Sequence, residues 1–259
     1  MTKRSWLTTS PTAAVLLPIL GLIGAIALWW LATIVFSIES YLLPTPGDVV
    51  RTLADQPAYL LRETGISFLE TIEGFLLAIV IGVPIALLIV RSVILERLVY
   101  PLLLMVNAIP KIAVAPLLVV WMGFGQWPKV VMVLLMCFFP IVISTAQGMK
   151  STPAELVELL RSLNASRTQE FFKLRLRYAM PQIFTGLKVA ISLAVIGSVI
   201  AEFVGATQGL GYVIQQSGAS ADTALAFAAI TLLSIMSIIL FYGLVLLEHL
   251  FLPWAQETR

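Results

Sequence analysis

Charge, histidine and cysteine are all scarce in this 259-residue sequence. Charged residues make up 12% of the chain, against about 25% in soluble domains, while 59% of the residues are hydrophobic. A chain this apolar lacks the polar surface to cover itself in water, so the composition excludes an ordinary soluble domain. The single cysteine, Cys137, excludes an intramolecular disulfide, and the single histidine, His249, excludes a metal site of the usual Cys/His spacing.

A phosphate-binding loop and internal repeats are also missing. The pattern Gly-x-x-x-x-Gly-Lys-Ser/Thr does not occur, and Gly186-Leu187-Lys188 has neither its spacing nor its hydroxyl. The net charge of +2 is too small to indicate a nucleic-acid partner. The sequence therefore predicts no catalytic site, no metal site and no cofactor in this chain. Because flexible linkers and low-complexity segments are absent too, we predict a single domain over 13–255, preceded by a tail at 1–12.

Long apolar runs dominate the sequence instead of charged or catalytic motifs. A membrane crossing takes about 20 mostly apolar residues, and six stretches qualify. They are 13–36, 64–90, 94–122, 128–149, 182–205 and 223–252. Pro110 and Pro116 interrupt the third stretch, where a broken helix is tolerated only if protein or a cavity covers it. The predicted fold class is an all-α, polytopic membrane protein with six transmembrane helices.

Lysine and arginine are unevenly distributed between the two sets of loops. One set contains Lys3, Arg4, Arg91, Arg97, Lys150, Arg161, Arg167, Lys173, Arg175 and Arg177. The other set contains only Arg51, Arg62 and Lys129. Because loops rich in lysine and arginine remain in the cytoplasm, both termini and the segment after the fourth span are predicted to be cytoplasmic. In the first external loop, Thr45-Pro46-Gly47-Asp48 predicts the start of a short helix.

The most polar segment of the chain is 152–181, which we call the elbow. Thr152-Pro153-Ala154-Glu155 predicts a helix start in which Thr152 caps the helix and Glu155 reaches back to the cap. The following leucines predict one apolar face, opposite a face that contains Glu155, Glu158 and Arg161. These leucines are Leu156, Leu159, Leu160 and Leu163.

A second helix start follows at once. Asn164 stands where a helix end favours a left-handed residue. Ser166 and Gln169 then have the spacing of a capping box. The elbow is therefore predicted to be two short helices with a bend at Asn164, followed by Pro181 before the next span. Three functions fit such a segment: an amphipathic helix on the membrane surface, a gating elbow in a channel, or a docking elbow for a cytoplasmic motor subunit. A surface helix gains nothing from the bend.

The elbow resembles the cytoplasmic signature of ABC importer permeases, which is Glu-Ala-Ala, three residues, glycine and a later proline. The matching residues are Glu158-Leu159-Leu160, Asn164-Ala165, Leu174 and Leu176. Residues 108–125 and 183–214 resemble the third-span and fifth-span signatures of the nitrate/sulfonate/taurine-type permeases. Asn164 replaces the usual glycine and should tolerate the same bend. Arg177 replaces the usual proline, and Leu159-Leu160 makes the docking face bulkier than Ala-Ala.

The resemblance implies a permease subunit of the bacterial inner membrane that is not itself an enzyme. Two copies would work with two ATPase subunits, which bind ATP and Mg²⁺, and with an external substrate-binding protein. The implied ATPase-coupling residues are Glu155, Glu158, Leu159, Leu160, Arg161, Asn164 and Ala165. The implied substrate is a small anion such as nitrate, a sulfonate or taurine, although related permeases carry thiamine-precursor pyrimidines or riboflavin-like compounds. The alternative of another class is a stand-alone secondary transporter or channel, which would more often show inverted repeats.

Ionisable residues inside the spans are the candidates for the translocation pathway, because a charge at membrane depth is costly. Lys111 could meet an anionic substrate near the broken third span, or it could extend to the interface. Glu202 could pair internally, line a cavity or seal the outer gate. Glu70 and Glu73 share one face of the second span or favour a helix start. Gly209-Leu210-Gly211-Tyr212 predicts a tight external turn near the outer gate.

Overall fold

The computed structural model describes residues 11–255, and every regular element within this range is helical. The helices before the elbow are α1 (Pro11–Val35), α2 (Pro46–Asp55), α3 (Pro57–Arg91), α4 (Val93–Asn107), α5 (Lys111–Met122) and α6 (Gln126–Lys150). The later ones are α7 (Ala154–Ser162), α8 (Arg167–Gln169), a π-helical segment (Glu170–Arg175), α9 (Leu176–Gly205), α10 (Leu210–Ala219) and α11 (Thr223–Phe251). A 3₁₀ turn, Pro253–Ala255, ends the described chain. Lys3, Arg4 and most of the predicted tail lie outside it.

The described helices account for the predicted membrane crossings. Five are long and apolar enough to span a bilayer, and α4 with α5 forms a bent pair that makes a sixth if it crosses once. The two helices of the pair meet at 90°. The break lies at 108–110, and Pro110 is the residue that precedes the first turn of α5. Pro116 lies inside α5, so our prediction that it also interrupts the span was wrong.

The chain forms two compact units, and the smaller one consists of the described residues up to 60 together with 213–230. Within this unit the ring of Trp29 lies 5.6 Å from that of Phe227, and the hydroxyl of Thr223 donates to the carbonyl of Ser40 at 2.6 Å. Thr45 and Asp48 form the capping box that starts α2, as the sequence predicted. The hydrogen bonds from Thr45 also lower the pKa of Asp48 below its usual value.

The larger unit, 61–212 with the residues from 231 onward, is organised around α6. Small residues allow the helices to approach α6 closely, as they do in other membrane proteins. A Cβ atom added to Gly74 of α3 would lie 2.4 Å from the Cβ of Val133. A Cβ added to Gly186 of α9 would lie 2.3 Å from the Cβ of Ser144. Farther along α3, Gly82 lies next to Ile141, so α3 runs parallel to α6. Farther along α9, Gly197 lies next to Met136, so α9 runs antiparallel to α6.

The larger unit has two ends. At the elbow end, α6 finishes at Lys150, which pairs with Glu96 in the first turn of α4. At the far end, where α6 begins and α9 finishes, α5 contributes Ala115 and Leu118 to a cluster with Met132 and Ala201. The bent pair of α4 and α5 thus packs along α6 from one end to the other, which is the path of a single crossing.

An ion pair joins α9 to α11 within their apolar lengths. The ammonium of Lys188 lies 2.7 Å from a carboxylate oxygen of Glu248, and both side chains are largely buried. Each charge would be costly alone at this depth, so the pair is the reason both are tolerated. Sequence reasoning did not single out either residue, because they are 60 positions apart.

Candidate functional sites

The bend of the elbow is a Schellman motif at the end of α7. Asn164 has φ of 56°, the left-handed conformation that the sequence predicted. The amide of Ala165 donates to the carbonyl of Leu160 at 3.0 Å, and the amide of Asn164 donates to that of Arg161 at 3.0 Å. These are the two hydrogen bonds that define the motif. The bend is therefore built from local backbone bonds and is specified by Asn164.

The start of α7 differs from the prediction. Pro153 is the residue before the helix, and no side chain caps it. The hydroxyl of Thr152 is buried and has no hydrogen-bond partner in the described chain, so Thr152 is not the cap. Glu155 is exposed in the first turn, where a carboxylate favours the positive end of the helix dipole. The sequence contains the Thr-x-x-Glu pattern, but the hydrogen bonds of a capping box are not formed.

The second helix of the elbow is longer than predicted. Its start is the expected capping box, in which the amide of Ser166 donates to the side chain of Gln169 at 2.9 Å and the amide of Gln169 donates to the hydroxyl of Ser166 at 3.3 Å. It does not end before Pro181 but runs without a break from Arg167 to Gly205. Arg177 lies within it and keeps the backbone donor that the proline implied by the resemblance would have removed. The elbow is thus directly continuous with a spanning helix.

The leucines of α7 do not form one face. Val157 is buried and Leu156 and Leu160 are half-buried, so these residues face the protein. Leu159 and Leu163 are 56% and 68% exposed. With the exposed carboxylate of Glu155 they form a stripe along the outside of the helix at intervals of four residues, which we call the α7 stripe. Glu158 flanks it and is also exposed.

An ion-pair triad lies inside the elbow. Glu170 is buried, and its two carboxylate oxygens accept separately from Arg161 at 3.2 Å and from Arg175 at 2.7 Å. The sequence suggested Arg161 only as a contact for a partner, but it also pairs with Glu170 within the chain. Its side chain nevertheless remains 65% exposed. Glu170 was not predicted as a site residue. Its signal in the sequence is weak, since it is one acid among several bases.

Lys111 is the first residue of α5 and lines a cavity of about 330 Å³ at the break between α4 and α5. Its ammonium donates to the side-chain oxygen of Asn107 at 2.8 Å and lies 5.1 Å from the centre of the Phe139 ring. Ser144 is another residue that lines the same cavity. No carboxylate lies within salt-bridge distance of Lys111 in the described chain. The broken backbone is therefore next to a cavity that contains one half-buried cation.

A buried polar cluster holds the far end together, and Glu202 is at its centre. Glu202 is 0% exposed and accepts hydrogen bonds from Ser67 at 2.6 Å, from Ser198 at 3.1 Å and from the amide of Gly211. The internal pairing that the sequence allowed for Glu202 is thus the arrangement found. Ser67 and Ser198 were not predicted, because hydroxyls in apolar helices are common and carry no pattern.

Gly209 lies in a bend directly before α10 and Leu210 begins the helix, which differs from the tight turn we predicted over 209–212. The amides of this segment donate to acceptors from other helices: Gly209 to Glu63 at 2.6 Å, Leu210 to Ser67 at 2.8 Å, and Gly211 to Glu202. The first amides of a helix need acceptors, and carboxylates suit the positive end of its dipole. Gly209 has φ of 106°, and an added Cβ would lie 2.4 Å from the carboxyl carbon of Glu202.

Glu70 and Glu73 occupy different environments although they share α3. Glu70 is buried and pairs with Lys129 near the start of α6. Glu73 is exposed and accepts from the side-chain amide of Gln126 at 2.6 Å. Lys129 was predicted only as a loop charge. Within the described chain, no group of three or more His, Cys, Asp or Glu side chains has the geometry of a metal site.

Apolar spanning helices, a break beside a cavity and a helical elbow define a polytopic membrane protein of the transport class. Residues 74–252 match the family described as "Binding-protein-dependent transport system inner membrane component". The chain belongs to this family and is the membrane-spanning permease component of an ABC importer, not an enzyme. The resemblance predicted from the elbow and the two span signatures is thereby confirmed.

Two curated relatives and one solved structure illustrate the similarity. The formylaminopyrimidine transport permease protein ThiX of Halalkalibacterium halodurans is 35% identical, covering 98% of this chain and 99% of the relative. The putative aliphatic sulfonates transport permease protein SsuC of Bacillus subtilis is 31% identical, covering 90% and 85%. The inward-facing MetNI methionine ABC transporter has a chain with a TM-score of 0.65 at 22% identity, covering 74% of this chain and 96% of that one. The last comparison concerns the fold alone.

Proposed function

We propose that two copies of this chain form the pathway of an importer whose elbows dock on two separate ATPase subunits. Those subunits bind ATP and Mg²⁺, since the present sequence contains no phosphate-binding loop. The observation that carries the proposal is the α7 stripe, which exposes Leu159 and Leu163 on a helix fixed by a Schellman bend. Exposed leucines beside carboxylates are suited to a protein partner with an apolar groove and a polar rim.

The orientation follows from the charges of the loops. Lysine and arginine are concentrated in the elbow and in the loop that contains Arg91 and Arg97, which favours the cytoplasm for the elbow end. The far end, with α10 and the Glu202 cluster, then faces outward. An external binding protein would deliver substrate to that side, and the chain would lie in the bacterial inner membrane with both termini inside.

The cavity beside Lys111 supports a small anion as substrate. Lys111 has no carboxylate partner in the described chain, and it lies at the N-terminus of α5, where the helix dipole adds further positive potential. A cation left without a counter-ion at membrane depth is costly, and an anion in transit would neutralise it. Nitrate, a sulfonate or taurine would each provide such a charge. In contrast, Glu202 and Glu70 are engaged in internal contacts, and Glu73 lies on the surface.

A pyrimidine is the second candidate substrate. The cavity contains the Phe139 ring, which could stack on a heterocycle, and the amide of Asn107 and the hydroxyl of Ser144, which could bind its polar edge. The 35% identity to a formylaminopyrimidine permease favours this candidate over other neutral solutes. The two candidates differ in whether transport depends on the charge of Lys111.

The charge of Lys111 provides the test. If the substrate is an anion, Lys111→Met should reduce uptake by about tenfold or more and Lys111→Arg should retain most of it, because a half-buried charge contact is worth about 1.5–3 kcal/mol. The assay is uptake of labelled taurine and nitrate into vesicles that contain the assembled importer. Uptake of nitrate, or of taurine with its sulfonate group, at the wild-type rate by Lys111→Met would contradict the anion assignment. Uptake of a labelled aminopyrimidine that both variants leave unchanged would favour the second candidate.

A further inference from the structure

We propose that Glu170 is the positioning residue that transmits movement of α7 to the spanning helix α9. The inference rests on the proposed docking of α7 on an ATPase subunit. Docking alone moves only a helix of nine residues. For the pathway to respond, that movement has to reach a helix that crosses the membrane.

Glu170 lies where the two parts of the elbow meet. Arg161 belongs to the last turn of α7, and Arg175 is the last residue of the π-helical segment. Each donates to a different carboxylate oxygen of Glu170, at 3.2 Å and 2.7 Å. The carboxylate therefore clamps the end of α7 to the helix that leads into α9. Charge-assisted bonds of this kind are stronger and more directional than neutral ones.

Other connections across the bend are weaker candidates. The Schellman bonds at Asn164 and Ala165 lie within α7 and its cap, so they shape the bend without linking α7 to the next helix. Asn164 and Ser166 are exposed, and the chain could pivot there. Among the described residues, the hydrogen bond between Arg161 and Glu170 is the side-chain contact that spans the bend. Without it, a pull on α7 could be absorbed by rotation at Asn164.

The position of Glu170 in the π-helical segment adds to the argument. It is the first of the six residues from Glu170 to Arg175. Short π-helical turns inside longer helices are rare and occur frequently at functional sites. A pull on Glu170 is thus applied at the first residue of this segment, which is continuous with α9. Beyond it α9 continues to Glu202, whose hydrogen bonds attach the far end of the helix to α3 and α10.

The test separates coupling from folding. The assembled importer is reconstituted in vesicles, and Val189→Cys, at a cavity-lining residue that is 51% exposed, reports on the cavity through its labelling by a membrane-impermeant maleimide, with and without ATP and vanadate. Cys137 is fully buried and gives a low background. We expect Glu170→Gln to retain its ATPase subunit and to continue hydrolysing ATP. Its ATP-dependent change in labelling should fall about tenfold, a loss typical of a broken coupling between sites.

Two further variants keep the outcome decisive. Lys173→Gln removes an exposed charge from the same π-helical segment and should behave as the wild type. Arg161→Ala removes the clamp from an exposed position, and in complexes that retain their ATPase subunit it should reproduce the effect of Glu170→Gln even if that variant folds poorly. A wild-type labelling change in folded Glu170→Gln or in Arg161→Ala would overturn the inference. If the wild-type complex shows no ATP-dependent change, the proposed function itself fails, and the inference fails with it.

Discussion

A Leu159→Arg variant is expected to lose stable association with its ATPase subunit. Leu159 is the central member of the α7 stripe and is 56% exposed, so the substitution adds charge to the docking surface without opening a cavity in the core. Central apolar anchors of interfaces contribute about 2 kcal/mol or more, which corresponds to roughly 30-fold in affinity. A buried, unpaired arginine should increase the loss further. The measurement is co-purification of the two subunits, with uptake and ATP hydrolysis assayed on the same samples.

The control for this experiment is Thr168→Arg, which adds the same charge to the elbow beyond the bend. It should assemble like the wild type. Leu160 is also an implied coupling residue, but Leu160→Arg would be less informative, because Leu160 is half-buried and its replacement would also weaken α7 itself. If the Leu159→Arg complex assembles and transports at the wild-type rate, the docking assignment is wrong.

The second large effect is expected for Gly209→Ala. Gly209 has φ of 106°, and a Cβ would lie 2.4 Å from the carboxyl carbon of the buried Glu202. The backbone strain costs about 1–2 kcal/mol and the overpacking about 1–3 kcal/mol. The displaced Glu202 would also release the amide of Gly211 in the first turn of α10. We expect a clear fall in the midpoint of thermal unfolding of the purified permease.

Two glycines of the same chain separate these causes. Gly123→Ala introduces a side chain at φ of 77° with no atom within 4 Å, so it should show backbone strain alone. Gly243→Ala lies in α11 with no neighbour within 4 Å and should be close to neutral. A Gly209→Ala permease no less stable than Gly123→Ala would show that the contact with Glu202 does not constrain this position.

Features encoded by local sequence could be predicted, and those built from distant residues could not. The bend at Asn164 and the capping box at Ser166 follow from backbone preferences within a few residues, and both are present. The spans follow from long apolar runs. Glu63, Ser67 and Glu202 were not linked to Gly209 and Gly211, because their contacts join residues as much as 146 positions apart. Only the packing of α3, α9 and α10 brings these groups together.

The elbow shows where local patterns mislead. Four leucines at helical spacing predicted one face, yet the packing of α7 buries one side of that set and exposes the other. Thr152 has the right spacing for a cap, but Pro153 occupies the position before the helix. Pro181 suggested a helix end, although a long helix continues through it. For the leucines, burial against the rest of the protein decided between faces that the local sequence allows.

The most direct test of the central claim is uptake into vesicles that contain the permease with or without its ATPase subunit. The substrate would be the compound that stabilises the external binding protein in a thermal-shift screen. The account predicts uptake only when permease, ATPase subunit, loaded binding protein and ATP are all present, and none when an ion gradient replaces ATP. Uptake by the permease alone, driven by an ion gradient, would contradict it.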